Sequence, residues 1–423
     1  MAEETFLNDE FLRQLTAVGE VDLLVGVPTL NDADTIRHVM NAIQIGLVKY
    51  FPRQRTVVIS PDGGSHDGTP ELVKSSAITD FRSALAANPL RTTHTITTTY
   101  RLTMGTGEAV RIIFAAADLL RAKACAIVSS ELLSITPEWI DALLRPVYRE
   151  GFDLLTPVYE RHKFDGLLIK HVLAPLIQAA YGCEIQEPAG EEFGFSGVLA
   201  CHLLAQDVWH EDFVRHGWAL WMTTTALAAG YRLCQSFLGP KIRSETHPGE
   251  SLPATIQRTL GALFRSLEVH EPFWLAQTES KTPATFGFQT ELDLAPVRVS
   301  RKRMFEMFRT GVEELSSILE KVLSATTLQA IREVAQQNGG GSQFPDELWV
   351  KAVYEFAASY HHSVINRDHL LQALTPIYRG RVGSYLRENH GAGFDELRAR
   401  LASLRSEYQR LKPYLIQTWL AKT

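Results

Sequence analysis

Carboxylates and glycines that follow short apolar runs are the places in this chain where chemistry can be done. Asp62 closes the run Thr56-Val57-Val58-Ile59-Ser60-Pro61 and is followed by Gly63-Gly64. A carboxylate there can accept the ring N–H of a pyrimidine or guanine base. The same Asp-Gly pair can also do no more than reverse the chain. Gly105-Thr106-Gly107-Glu108-Ala109 opens a helix-like stretch. The amides of such an entry can approach a pyrophosphate at the positive helix end, or the glycines can simply loosen the helix start. Glu131, in Ser129-Ser130-Glu131-Leu132, is a candidate ligand for magnesium or manganese, but a lone carboxylate needs substrate phosphates to complete the oxygen shell. Otherwise it is an exposed loop glutamate. Glu191-Glu192, after Pro188-Ala189-Gly190, form an acidic pair on a tight turn. One of them can act as general base or bind sugar hydroxyls, unless the turn is merely solvated. His247 is a further polar loop residue, a candidate ligand or base.

The elements that would position these groups alternate between strand-like and helix-like patterns. Residues 22–27, 56–60, 125–128 and 153–158 are short apolar runs of strand length. Between them, Ile36, Val39, Met40, Ile43 and Val48 fall near helical spacing, with Asp32 or Asp34 as N-cap. Val110, Ile113, Phe114, Ala117 and Leu120 outline another amphipathic helix, and Thr136 before Pro137 predicts a helix start. Strands separated by helices predict an α/β fold with a mostly parallel sheet covered on both faces. Ligands of such sheets bind beyond the carboxyl ends of the strands, which directs attention to residues 28–31, 61–69 and 129–132. From about Lys302 the pattern is helical, interrupted by Asn338-Gly339-Gly340-Gly341-Ser342. Three regions are expected: residues 1–160, 161–300 and 301–423.

Composition narrows the class of function. The 423 residues carry a net charge of −6, which gives no reason to expect nucleic acid; residues 298–303 are the nearest approach to a basic cluster. No run of 18 apolar residues predicts a membrane span, and the N-terminus is acidic where a signal peptide would be basic. Four widely spaced cysteines, Cys125, Cys183, Cys201 and Cys234, form no CxxC pair and are expected to be buried, reduced thiols of a cytoplasmic protein.

Taken in order, these segments resemble a known family. The order is Val27-Pro28-Thr29-Leu30-Asn31, then Asp62-Gly63-Gly64-Ser65-His66-Asp67-Gly68-Thr69, a Gly-rich loop, and a strand-end acidic motif before Ile135-Thr136-Pro137-Glu138-Trp139-Ile140. Pro188-Ala189-Gly190-Glu191-Glu192-Phe193, residues 217–225, Gly239-Pro240-Lys241 and Asp346-Glu347-Leu348-Trp349 continue it. The chain resembles GT-A glycosyltransferases of the family-2-like group, in particular retaining mannosylglycerate and glucosyl-3-phosphoglycerate synthases. The resemblance implies a GT-A fold with a helical C-terminal region that packs on the acceptor side or forms a homodimer contact. It places Pro28, Thr29, Asn31 and Asp62 along the nucleotide, Gly105 and Gly107 at the diphosphate, Glu131 and Lys241 on the nucleotide sugar, and Gly190 and Glu191 on the acceptor side.

Four positions depart from the family pattern. The Asp-x-Asp metal motif falls on Ser129-Ser130-Glu131, the lysine of a Gly-Lys-Gly loop on Thr106, an expected aspartate on Ala219, and an expected metal-binding histidine on Arg243. Two readings follow. Either Arg243 supplies the positive charge that a divalent cation would give the leaving diphosphate, with Lys241 assisting and Glu192 as the catalytic carboxylate, or the chain is a catalytically silent binding or regulatory relative. The first implies hexosyl transfer from a nucleotide diphosphate sugar to a small hydrophilic, glycerate-like acceptor with retention, and little or no need for magnesium or manganese.

Overall fold

A computed structural model describes residues 6–79, 93–100, 105–244, 251–289, 300–337 and 343–421. His247, part of the basic cluster (residues 298–299), the Gly-rich interruption (residues 338–342) and the first five residues of the acidic N-terminus lie outside the described residues.

The chain divides into two compact units. The first comprises Met1–Glu160, Ala189–Pro248 and Pro283–Leu292; the second comprises Arg161–Pro188, Gly249–Thr282 and Asp293–Thr423. The first unit holds an eight-stranded sheet of β1 (Leu23–Gly26), β2 (Thr56–Asp62), β3 (His94–Thr99), β4 (Ala124–Ile127), β5 (Leu154–Glu160), β6 (Phe193–Ser196), β7 (Leu233–Pro240) and β8 (Ala284–Phe286). Their order is β3-β2-β1-β4-β6-β5-β7-β8. All neighbours are parallel except that β6 runs against both β4 and β5. The expected α/β class with a mostly parallel sheet is therefore met.

The strands lie where the apolar runs put them, because β1, β2, β4 and β5 are buried along their whole length and need side chains that suit the interior on both faces. Leu23, Val25 and Ala126 pack in one core with Val39, Ile43, Ile140 and Leu143 of the helices Ala33–Tyr50 and Pro137–Glu150. On the other face, Gly26 lets Ile113 of the helix Thr106–Leu119 come so close that a Cβ would lie 2.5 Å from its Cδ1. β2 runs two residues past the expected end at Ser60, since Thr29 N–H donates to the Pro61 carbonyl at 2.9 Å and Gly63 N–H to that of Thr29 at 2.8 Å.

The second unit is helical. Its largest helices include Leu252–Val269, Asp346–His361, Arg367–Glu388 and Phe394–Arg410. The expected helical C-terminal region is present. Glu355 is a buried carboxylate of this unit, satisfied by Ser324 N–H (2.8 Å), the Ser324 and Thr327 hydroxyls (3.0 and 2.6 Å) and the Tyr414 hydroxyl (2.5 Å). Among the cysteines, Cys125, Cys183 and Cys234 are buried thiols, but Cys201 is exposed on the helix Gly197–Leu204. It lies away from the buried residues Leu199, Ala200 and Leu203 of a helix that is apolar nearly all round and also exposes Val198, so an apolar neighbourhood in sequence does not mean burial.

Candidate functional site

The loops beyond β1 and β2 are laced into one platform. Asp62 is buried and accepts four hydrogen bonds from its surroundings. They come from the Thr29 hydroxyl (3.0 Å), Gly64 N–H (2.9 Å), Ser65 N–H (2.8 Å) and the Ser65 hydroxyl (2.6 Å). An ionised carboxylate has about four acceptor positions, so its capacity is filled from within the protein. Asn31 sits at φ 55°, a region open to asparagine because its short side chain bonds locally. Its N–H donates to the Ser65 hydroxyl at 2.8 Å and its Oδ1 accepts from His66 N–H at 3.0 Å. Asp67 accepts from Ala33 N–H at 2.9 Å and from the Thr69 hydroxyl at 2.6 Å. Burial would raise the Asp67 carboxyl, but those bonds outweigh it and hold the group below its ordinary value. Pro28, Thr29, Asn31 and Asp62 are thus brought together, with Pro28 half-buried at the entry to the loop.

Tyr100, just beyond β3, completes this corner. Its N–H donates to the Asp62 carbonyl at 2.9 Å, and a Cβ on Gly63 would meet its hydroxyl at 2.9 Å. Burial first, then the charges of Asp62 and Asp32, push its phenol up to about 12.

Gly105 and Gly107 have a different setting. They start the helix Thr106–Leu119, and Gly105 has φ 74°. A Cβ on Gly105 would lie 2.5 Å from the Arg215 carbonyl oxygen and one on Gly107 2.6 Å from that of Val214. Close passage of the helix Asp212–Ala228 therefore explains both glycines without a ligand. Thr106 and Ala219, the two other replaced positions, lie on these same two helices.

The platform is tied sideways to the β4 loop. Thr35, in the first turn after β1, donates its hydroxyl to the Ser130 carbonyl at 2.8 Å. Leu132 forms an antiparallel bridge with Arg243, strengthened by Ser244 N–H to the Glu131 carbonyl (3.0 Å) and Leu133 N–H to the Ile242 carbonyl (2.9 Å). One line of bonded neighbours thus runs across the carboxyl ends of β2, β1, β4 and β7.

At its far end stands a cluster of charged side chains. Because β5 lies between β6 and β7, Tyr159 at the end of β5 stands between Glu192, which leads into β6, and Lys241, which follows β7. Glu192 is completely buried. Its Oε2 accepts from the Tyr159 hydroxyl and, at 2.7 Å, from the Lys241 ammonium; its Oε1 is buried with no hydrogen-bond partner. The ammonium also sits 4.7 Å from the Tyr159 ring centroid, a cation–π arrangement. Glu191 accepts through Oε2 from Lys241 at 3.2 Å and from Arg243. The Glu191 and Arg243 side chains are each 41% exposed, against 4% for Lys241. Partial burial would raise the Glu191 carboxyl, but Lys241 and Arg243 prevail and hold it at about 2. Burial opposes the charge of Arg243; Glu191, Glu192 and Glu131, in that order, keep its guanidinium above its ordinary value. Glu131 therefore belongs electrostatically to the cluster. Gly190 precedes it, packed so that a Cβ would be 2.5 Å from Pro157 Cγ.

Glu191, Glu192, Lys241 and Arg243 are thus brought into direct contact. Among the described residues no group of three or more His, Cys, Asp or Glu side chains is arranged to hold a metal ion, and no helix is long and apolar enough to cross a membrane. Tyr159 and Ser65 are the partners that sequence reading did not single out. Tyr159 directly follows the apolar run 153–158, so its strand-end position was the available signal.

Among the 110 solved chains similar to this one are three at 18–20% identity. Two are Mycobacterium tuberculosis glucosyl-3-phosphoglycerate synthase. The complex with Mn2+, uridine diphosphate and phosphoglyceric acid is 18% identical, over 61% of this chain and 82% of that one, with a TM-score of 0.42. The complex with Mn2+, uridine-diphosphate-glucose and phosphoglyceric acid is 18% identical, over 64% and 86%, also with a TM-score of 0.42. The third, described as a mycobacterial protein, is 20% identical over 60% and 77%, with a TM-score of 0.41. No family model and no curated protein matches the sequence.

Proposed function

We propose that the chain is a GT-A-type glycosyltransferase that moves a hexosyl group from a nucleotide diphosphate sugar to a small hydrophilic, glycerate-like acceptor. The observation that carries this reading is the bonded line across the strand ends, with a platform of loop amides and hydroxyls around Asp62 at one end and paired cations beside a buried carboxylate at the other. A nucleoside needs shaped hydrogen-bonding loops, a diphosphate needs cations, and a sugar acceptor needs a carboxylate to orient its hydroxyl. Pro28, Thr29, Asn31 and the backbone around Asp62 would line the nucleoside. With its carboxylate engaged by its own loops, Asp62 would serve chiefly by shaping them.

Arg243 and Lys241 would face the diphosphate, with Glu131 beside the sugar. In the transfer step the bond between the anomeric carbon and the diphosphate oxygen breaks, and its electron pair leaves on the diphosphate, where Arg243 stabilises the charge. The acceptor oxygen forms the new bond, and its proton passes to Glu192 through the unpartnered Oε1. Gly190 and Glu191 border the acceptor. Attack from the face that the diphosphate leaves gives retention. Glu131 is the candidate carboxylate for a magnesium or manganese ion, and any such ion would contribute only weakly because Glu131 already interacts with Arg243.

A second reading is favoured by one observation: Arg243 and Lys241 are already paired with Glu191 and Glu192. A site so closed on itself suits a silent binding relative. The deciding experiment is product formation, by mass spectrometry, across UDP-, GDP- and ADP-sugars with glycerate and phosphoglycerate. Transfer with any pair supports the enzyme, and the anomeric configuration of that product tests retention. Tight binding of a donor without turnover establishes the silent relative.

A further inference from the structure

Glu191 occupies both cations of the cluster through a single oxygen, Oε2. Its neighbour Glu192 already neutralises Lys241 from the buried side. Glu191 is therefore a second anion on the same cations, and unlike Glu192 its side chain is open to solvent, as is that of Arg243. A carboxylate held between a guanidinium and an ammonium, on the solvent side of both, has the charge and hydrogen-bonding character of a phosphate oxygen. We infer that Glu191 is a built-in stand-in for a diphosphate, filling the anion site of Arg243 and Lys241 until a diphosphate displaces it. This rests on reading Arg243 as the partner of the donor's diphosphate.

The pairing has a direction. Only the outer carboxylate can leave without exposing a buried charge, because Glu192 stays with Lys241 and Tyr159. The Glu191 carboxyl is held at about 2, so no change of pH in the neutral range frees the cations; a competing anion must do so. A singly charged anion merely replaces like with like, whereas a diphosphate brings more charge and more acceptor oxygens to the same donors. The site thereby discriminates against small monoanions. Once displaced, Glu191 stands on the acceptor side, free to meet an incoming hydroxyl, so that donor binding precedes and prepares acceptor binding.

The test uses inorganic pyrophosphate as the probe, titrated calorimetrically into the full chain and its variants. Glu191→Gln, close to isosteric and at a partly exposed position, should bind pyrophosphate about tenfold or more tightly than wild type, and Glu191→Ala should do the same. Adding Arg243→Ala to Glu191→Gln should abolish the gain. The inference is overturned if both single variants bind pyrophosphate no better than wild type, or if the gain survives loss of Arg243. These outcomes are separable from those of the transfer reading. Tighter pyrophosphate binding with no sugar turned over leaves the displacement intact and removes the enzyme; turnover with unchanged pyrophosphate affinity does the reverse.

Discussion

The two ends of the bonded line differ in how they treat a buried carboxylate. At Asp62 both oxygens are satisfied by the protein's own loops, and the donors are neutral hydroxyls and amides. At Glu192 one oxygen holds a tyrosine and a lysine while the other has no partner, and the cluster around it carries three glutamates against two cations. The first arrangement stabilises a shape. The second leaves hydrogen-bonding capacity buried and unpaired within the protein, which costs folding free energy unless a water or a ligand completes it. Glu355 in the helical unit resembles Asp62, with four donors on its carboxylate, and has the same structural character.

The comparison is broken most decisively by exchanging the roles. Glu192→Gln should lower sugar transfer ~10²–10³-fold in a protein that still folds, with a lowered melting temperature because it removes a buried partner of Lys241, and Arg243→Ala should lower turnover by a similar factor with a smaller loss of donor affinity. Steady-state kinetics on the active donor pair checks both, and a variant that keeps wild-type turnover removes its residue from the chemistry.

Asp62→Ala should act mainly on stability. It strands two backbone N–H groups and two hydroxyls, and the expected loss is about 3 kcal/mol by denaturant unfolding. Unchanged stability would mean that the platform does not depend on this carboxylate.

Smaller effects sharpen the contrast. The Glu191 carboxyl lies at about 2, below its ordinary value of 4.5, so its contribution to stability is complete above 4.5 and is lost as pH falls toward 2. Glu191→Gln should therefore lower the melting temperature at pH 7 to 8, converge with wild type as pH falls toward 2, and so flatten the acid limb of the profile. A limb identical to wild type would show the ion pair to be without weight in solution.

The smallest effect concerns metal. EDTA should change nucleotide affinity by less than tenfold, about 1.4 kcal/mol, because Glu131 already interacts with Arg243, and Arg243 with Lys241 can supply the countercharge of the diphosphate. A larger loss would mean that substrate phosphates and Glu131 complete a metal shell.

Much of the sheet was legible because β1, β2, β4 and β5 are continuous apolar runs. β3 was not: His94-Thr95-Ile96-Thr97-Thr98-Thr99 has one apolar residue and rests on β2 for its place. β6 has only four residues, one of them Gly194, and β7 ends on Gly239-Pro240, which in isolation reads as a turn. Of the site, the charged residues were visible as types. Their pairing was not, because Glu192, Tyr159 and Lys241 meet only through the non-sequential order β6-β5-β7. Gly105 and Gly107 show the opposite limit: a phosphate-like signature in sequence can arise from two helices passing closely.

The reversed direction of β6 has a consequence for how such a site can change. A parallel strand offers the site whatever follows it, so new length or composition enters after β1, β2, β4 or β7. β6 offers the site whatever precedes it, and the helix Gly197–Leu204 that follows lies at the opposite end of the strand. Insertions and exchanges can therefore accumulate upstream of Gly190, in a segment whose length the sheet does not fix. The strand that holds Glu192 in place stays untouched. Conserving the downstream helix while varying the upstream segment is the pattern that lineage divergence or directed evolution of this scaffold should follow.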